Sequence, residues 1–68
     1  MAVNYAYNYA EIDEDNMCIG VYSMTVPSTN PNWVEIPVND PEYICKYYIN
    51  GKWFVGAEGT IPWVSALL

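Results

Sequence analysis

The sequence predicts an all-β fold: a small antiparallel sheet of about four to five strands, built from two hairpins and finished by an apolar C-terminal tail. Three observations carry this reading. Residues alternate with period two from Asn4 to Asp13, as they do in a strand whose two faces differ. Asn50-Gly51 divides two apolar runs, and both positions of a type I′ hairpin turn need φ > 0, which Asn and Gly tolerate best. Turn formers cluster at "DEDN", "VPSTNPN" and "NDPE", cutting the rest of the chain into short runs.

The first strand places Tyr5, Tyr7, Tyr9, Glu11 and Asp13 on one face and Ala6, Ala10 and Ile12 on the other. "DEDN", Asp13 to Asn16, then reverses the chain, with Asn16 in the left-handed position that closes a type I turn with a G1 bulge. Met17 to Thr25 returns, and Gly20 in its middle marks a bulge or a close approach by another backbone or ring. After the loop Val26 to Asn32, "WVEIPV" sets Val34, Ile36 and Val38 on one face and Trp33, Glu35 and Pro37 on the other. Pro37 has no N–H to give a ladder, so this is an edge strand. Asn39 to Glu42 turns at Pro41, whose φ is preset. The second hairpin joins Tyr43–Ile49 to Lys52–Val55, opposing Ile49 to Lys52, Tyr48 to Trp53 and Tyr47 to Phe54. One aromatic pair therefore falls on each face, and one of them needs cover from the tail or from a second subunit.

A chain of 68 residues is read as one domain, 1–68, whose core alone gives marginal stability. With 53% hydrophobic residues, seven Tyr, three Trp and only 15% charged residues, association with protein is the expected support. The tail, residues 57–68, packs on the sheet or on a neighbouring chain, which makes Trp63, Leu67 and Leu68 interface candidates together with Tyr48 and Trp53. Tyr48, Trp53 and Trp33 are also the rings that could stack on a sugar. No run reaches the ~18 apolar residues of a membrane span, so no membrane partner is expected. A net charge of −6 with Lys46 and Lys52 as the cationic side chains argues against nucleic acid.

Catalysis and metal binding find little to use. The chain has no His and two Cys, too few ligands for a common structural zinc site. "DEDN" lacks the spacing and distal Glu of a calcium loop. Neither thiol has an activating base in sequence reach, so the expectation is a protein that is not an enzyme and has no cofactor. The opening "MAVNYAYNYAEID" lacks the basic and apolar regions of a signal peptide, so Cys18 and Cys45 are expected as reduced, partly buried thiols.

"YAEIDEDNMCIGVYSMT" followed by "WVEIPVNDPEYICKYYINGKWF", roughly residues 9 to 55, resembles the short β segments of tail-fibre, baseplate and other minor structural proteins of bacteriophages and prophages. The resemblance implies a non-enzymatic structural or assembly module that associates with itself or with another virion protein, in the virion or in the bacterial host cytoplasm. It supplies no catalytic residues. The alternatives are a small acidic inhibitor of a host protein and a carbohydrate-binding β module.

Overall fold

A computed structural model of the chain describes residues 7–68; Asn4, Tyr5 and Ala6, at the start of the first expected strand, lie outside them. The elements are β1 (Tyr7–Ile12), β2 (Cys18–Met24), β3 (Trp33–Ile36), a 3₁₀ turn (Pro41–Tyr43), β4 (Tyr47–Ile49) and β5 (Lys52–Phe54). The fold is all-β, with five strands in two small antiparallel sheets, β2-β1-β3 and β4-β5, in place of one sheet.

The β1–β2 hairpin closes as its turn residues require. The Asp13 N–H donates to the Met17 carbonyl at 2.9 Å, the Asn16 N–H donates to the Asp13 carbonyl at 3.0 Å, and Asn16 has φ 67°. The Asp13 carboxylate adds an Asx turn, accepting from the N–H groups of Asp15 and Met17 at 2.9 and 3.0 Å. Glu11 opposes Gly20 but Ile12 opposes Cys18, which leaves Ile19 as the extra residue of a bulge. Gly20 also admits a ring: a Cβ there would lie 2.6 Å from the Tyr22 hydroxyl oxygen.

β3 pairs antiparallel with β1 on the side away from β2, matching Ala10 to Val34 and Glu11 to Trp33, and is the edge strand that Pro37 requires. This register sorts the sheet into two faces. Ala10, Cys18 and Ile36 are buried on one, where Tyr43 seals them and Val21, Val38, Trp53 and Trp63 pack around. Tyr9, Tyr22 and Trp33 share the other, with the Tyr22 and Trp33 rings stacked at 4.6 Å and 8°. The Ser28 N–H donates to the Tyr9 hydroxyl at 2.9 Å, so the 26–32 loop folds back over this face.

The β4–β5 register pairs Tyr47 with Phe54, Tyr48 with Trp53 and Ile49 with Lys52, as expected, and Asn50 and Gly51 carry φ 52° and 81°. A Cβ at Gly51 would meet no atom within 4 Å. The cost of a side chain there is therefore purely conformational. Gly51→Val should destabilise the fold by more than ~1 kcal/mol, read as a lower thermal midpoint. An unchanged midpoint would contradict the turn assignment.

Residues 43 to 46 do not extend β4 as the sequence reading had them. Pro41 with its preset φ and the Asp40 side chain, which accepts from the Glu42 N–H, stabilise a 3₁₀ turn ending at Tyr43. A type II turn follows at once. The Lys46 N–H donates to the Tyr43 carbonyl at 2.9 Å, Ile44 sits at φ −60°, ψ 132°, and Cys45 at φ 73°.

Two sets of backbone bonds extend the β pairing beyond the named strands. The Cys18 N–H donates to the Lys46 carbonyl at 2.8 Å, the Cys45 N–H to the Cys18 carbonyl at 2.9 Å and the Tyr48 N–H to the Asn16 carbonyl at 2.9 Å, joining the start of β2 to the approach to β4. On the far side, the Val55 N–H donates to the Ile61 carbonyl at 2.9 Å and the Trp63 N–H to the Trp53 carbonyl at 3.0 Å, so the tail lies along β5. Neighbours thus run β3, β1, β2, β4, β5, tail, in a plate of 44 × 25 × 16 Å.

Candidate association site

The tail is positioned by three devices. A turn at Gly56 to Gly59, closed by a 3.1 Å backbone bond and with Gly59 at φ 66°, sends the chain back along β5. Trp63 then meets Tyr43 in a T-shaped contact at 4.8 Å and 77°, while Trp53 meets the same ring at 5.0 Å and 70°. Tyr43 is 2% exposed between them. Edge-to-face contact suits the ring quadrupoles, and Lys46 Nζ, 5.0 Å from the Trp63 ring centre, adds a cation. Lys46 Nζ also donates to the Glu42 carbonyl at 3.1 Å.

The third device is a buried pair of polar groups. Ser65 Oγ donates to Asp40 Oδ2 at 2.5 Å and accepts from the Leu67 N–H at 3.1 Å. Asp40 Oδ1 accepts from the Glu42 N–H at 2.9 Å. One buried carboxylate therefore caps the 3₁₀ turn and fastens the tail. Such a group is stable away from water only because its oxygens are hydrogen-bonded.

With Trp63 and Ser65 turned inward, the remaining apolar residues face out. Ile61, Val64, Leu67 and Leu68 are 56%, 71%, 61% and 66% exposed. Of the expected interface residues, Leu67 and Leu68 are at the surface, while Tyr48, Trp53 and Trp63 are half-buried in contacts within their own chain. Of the three rings considered for sugar stacking, Trp33 lies against Tyr22 on the first sheet, whereas Tyr48 and Trp53 pair at 5.0 Å on the second. Trp33 Nε1 is buried and has no hydrogen-bond partner among the described residues.

Tyr43, Asp40 and Ser65 were not singled out by the sequence reading. For the first two a signal existed in "NDPEY", since Asp before Pro is an N-cap followed by a favoured first helical residue. Ser65 carried none.

Both thiols are free. Cys18 is buried, its Sγ donating to the Gly20 carbonyl at 3.3 Å, whereas Cys45 is exposed, in contrast to the expected partial burial, because it sits at the corner of a surface turn. Burial pushes the Cys18 thiol above its ordinary 9.0; hydrogen bonding with the Gly20 backbone opposes this, and the Cys45 and Glu11 charges add to it. The hydrogen bond to Glu11 raises Tyr22, and burial, then the Asp40 charge, raises Tyr43, each above 10.0. These groups hold their protons more tightly folded than unfolded. Their contribution is complete below the ordinary values and is lost as pH rises through the raised ones. The thermal midpoint should therefore fall on titration from about pH 9 upward. Tyr43→Phe should flatten that fall, and an unaltered slope would contradict the assignment to Tyr43.

No helix among the described residues is long and apolar enough to cross a membrane, and no group of three or more His, Cys, Asp or Glu among them is placed to hold a metal ion. No family model, curated protein or solved structure matches this chain.

Proposed function

We propose that the chain is a non-enzymatic structural or assembly module that acts by protein–protein association through its C-terminal tail, in the manner of the phage-particle β segments that residues 9 to 55 resemble. The supporting observation is the outward set Ile61, Val64, Leu67 and Leu68 on a backbone fastened by Trp63 and the Ser65–Asp40 bond. Burying that set gains roughly 25 cal/mol for each Å² of apolar surface. Because the backbone beneath is already fixed, little ordering entropy opposes the contact. The partner is a second copy of the chain or another virion protein, in the virion or in the bacterial host cytoplasm.

Deleting residues 61 to 68 would confound the test, since it also removes Trp63 and Ser65 from the fold. The triple variant Val64→Ser, Leu67→Ser, Leu68→Ser changes the outward side chains alone. Light scattering of the wild type should give an oligomer whose mass falls on dilution, and the triple variant should be a monomer with an unchanged fold by circular dichroism. A wild type that stays monomeric when concentrated would remove the self-association reading and favour an inhibitor that docks on a host protein.

A further inference from the structure

The chain places two thiols in backbone contact at a corner that calls for glycine. Cys45 is the third residue of the type II turn Tyr43 to Lys46 and also the first residue of a G1 bulge opposite Cys18, shown by the Cys45 N–H to Cys18 carbonyl and Cys18 N–H to Lys46 carbonyl bonds of 2.9 and 2.8 Å. Both roles need φ > 0, which Gly meets without strain and a residue with a Cβ does not. A strained position occupied by a reactive side chain is a reason to ask what that side chain does. One backbone bond joins the two residues directly, from the Cys45 N–H to the Cys18 carbonyl. Residues facing each other on neighbouring antiparallel strands have Cα atoms about 4.5–5.5 Å apart, inside the window of about 4.4–6.8 Å that a disulfide spans. Exposure separates the two thiols. Cys45 faces solvent and Cys18 is 0% exposed.

From this we infer that Cys45 and Cys18 form a redox modification site for a low-molecular-weight disulfide of the glutathione type, entered at Cys45 and closed by Cys18. The Cys45 thiolate attacks one sulfur of the reagent, forming a mixed disulfide and releasing one reagent thiolate. The Cys18 Sγ then turns from the Gly20 carbonyl and, as thiolate, attacks the Cys45 sulfur, releasing the second reagent thiolate and leaving a Cys18–Cys45 bridge. Two electrons pass from the protein thiols to the reagent's S–S bond, and the two thiol protons end on the two reagent thiols. Burial, which holds Cys18 protonated, makes the second step the slower one. The bridge closes the loop containing β2, β3 and the 3₁₀ turn between groups that are already neighbours, so it restrains the unfolded chain more than it distorts the folded one.

The test is incubation of the reduced, folded chain with excess glutathione disulfide, followed by acid quench and intact-mass measurement. The expected product is lighter than the reduced chain by two hydrogens, resists alkylation until reductant is added, and melts more than about 10 °C higher. Cys18→Ala, which keeps an apolar side chain in the buried position, should stop at a glutathione adduct on Cys45. Cys45→Gly should be inert to the reagent and, when reduced, melt at or above the wild-type midpoint, because glycine relaxes the corner. A wild-type chain that stops at the Cys45 adduct, pairs between molecules, or melts lower when bridged overturns the inference.

Discussion

Tyr43→Ala is expected to cost about 3–5 kcal/mol, the range for truncating a buried aromatic side chain. The ring is 2% exposed and in T-shaped contact with both Trp53 and Trp63, so its loss removes two aromatic contacts and leaves a hole beneath Ala10, Cys18 and Ile36. A domain of this size draws no more than about 3–5 kcal/mol from its core, so the variant should be largely unfolded in the absence of denaturant. A urea titration would show a sloping baseline without a cooperative step. A sigmoidal transition near the wild-type midpoint would mean that the core does not centre on this ring.

The next largest effect is expected at Asp40→Ala. It removes the cap of the 3₁₀ turn, worth ~1 kcal/mol, and leaves the Ser65 hydroxyl buried without its acceptor, worth a further ~1–3 kcal/mol. Ser65→Ala leaves the buried Asp40 carboxylate without one of its donors and should also be costly. If one bond holds the tail to the turn, the double variant should lose less than the two single losses together, with a coupling of about 1 kcal/mol or more in thermal or urea unfolding. Strict additivity would show that the bond of 2.5 Å between them contributes nothing of its own.

Local chemistry and distant contacts differ in how far the sequence discloses them. Asn50-Gly51 and Asn16 each meet a backbone demand that few residues satisfy, and both turns and the whole β4–β5 register follow from them. The period-two pattern likewise separated Ala10 and Ile36 from Tyr9 and Trp33. Tyr43 went astray because an aromatic residue beside an apolar run reads as a strand, while the 3₁₀ turn that takes it is set by the Asp40 cap and Pro41 before it. Cys45 at φ 73° is illegible from residue type, since nothing in a cysteine asks for the left-handed region. Which tail residues face inward is settled by Ser65 reaching Asp40, 25 positions away, and no local period encodes that choice. The same reason hid the joining of the two sheets through Cys18, Cys45 and Lys46.

The distribution of the three tryptophans gives the chain a built-in optical readout. Trp53 and Trp63 flank Tyr43, so their transitions couple in an asymmetric arrangement that exists only while the tail is seated; near-ultraviolet ellipticity should report that event. Trp33 lies parallel to Tyr22 on the other sheet with its indole N–H shielded from water, so its emission should be blue-shifted and should report closure of β1 against β2 and β3. The two signals come from opposite ends of the strand order. In Trp→Phe variants that retain one or the other, seating of the tail and assembly of the first sheet can be timed separately, without an added dye.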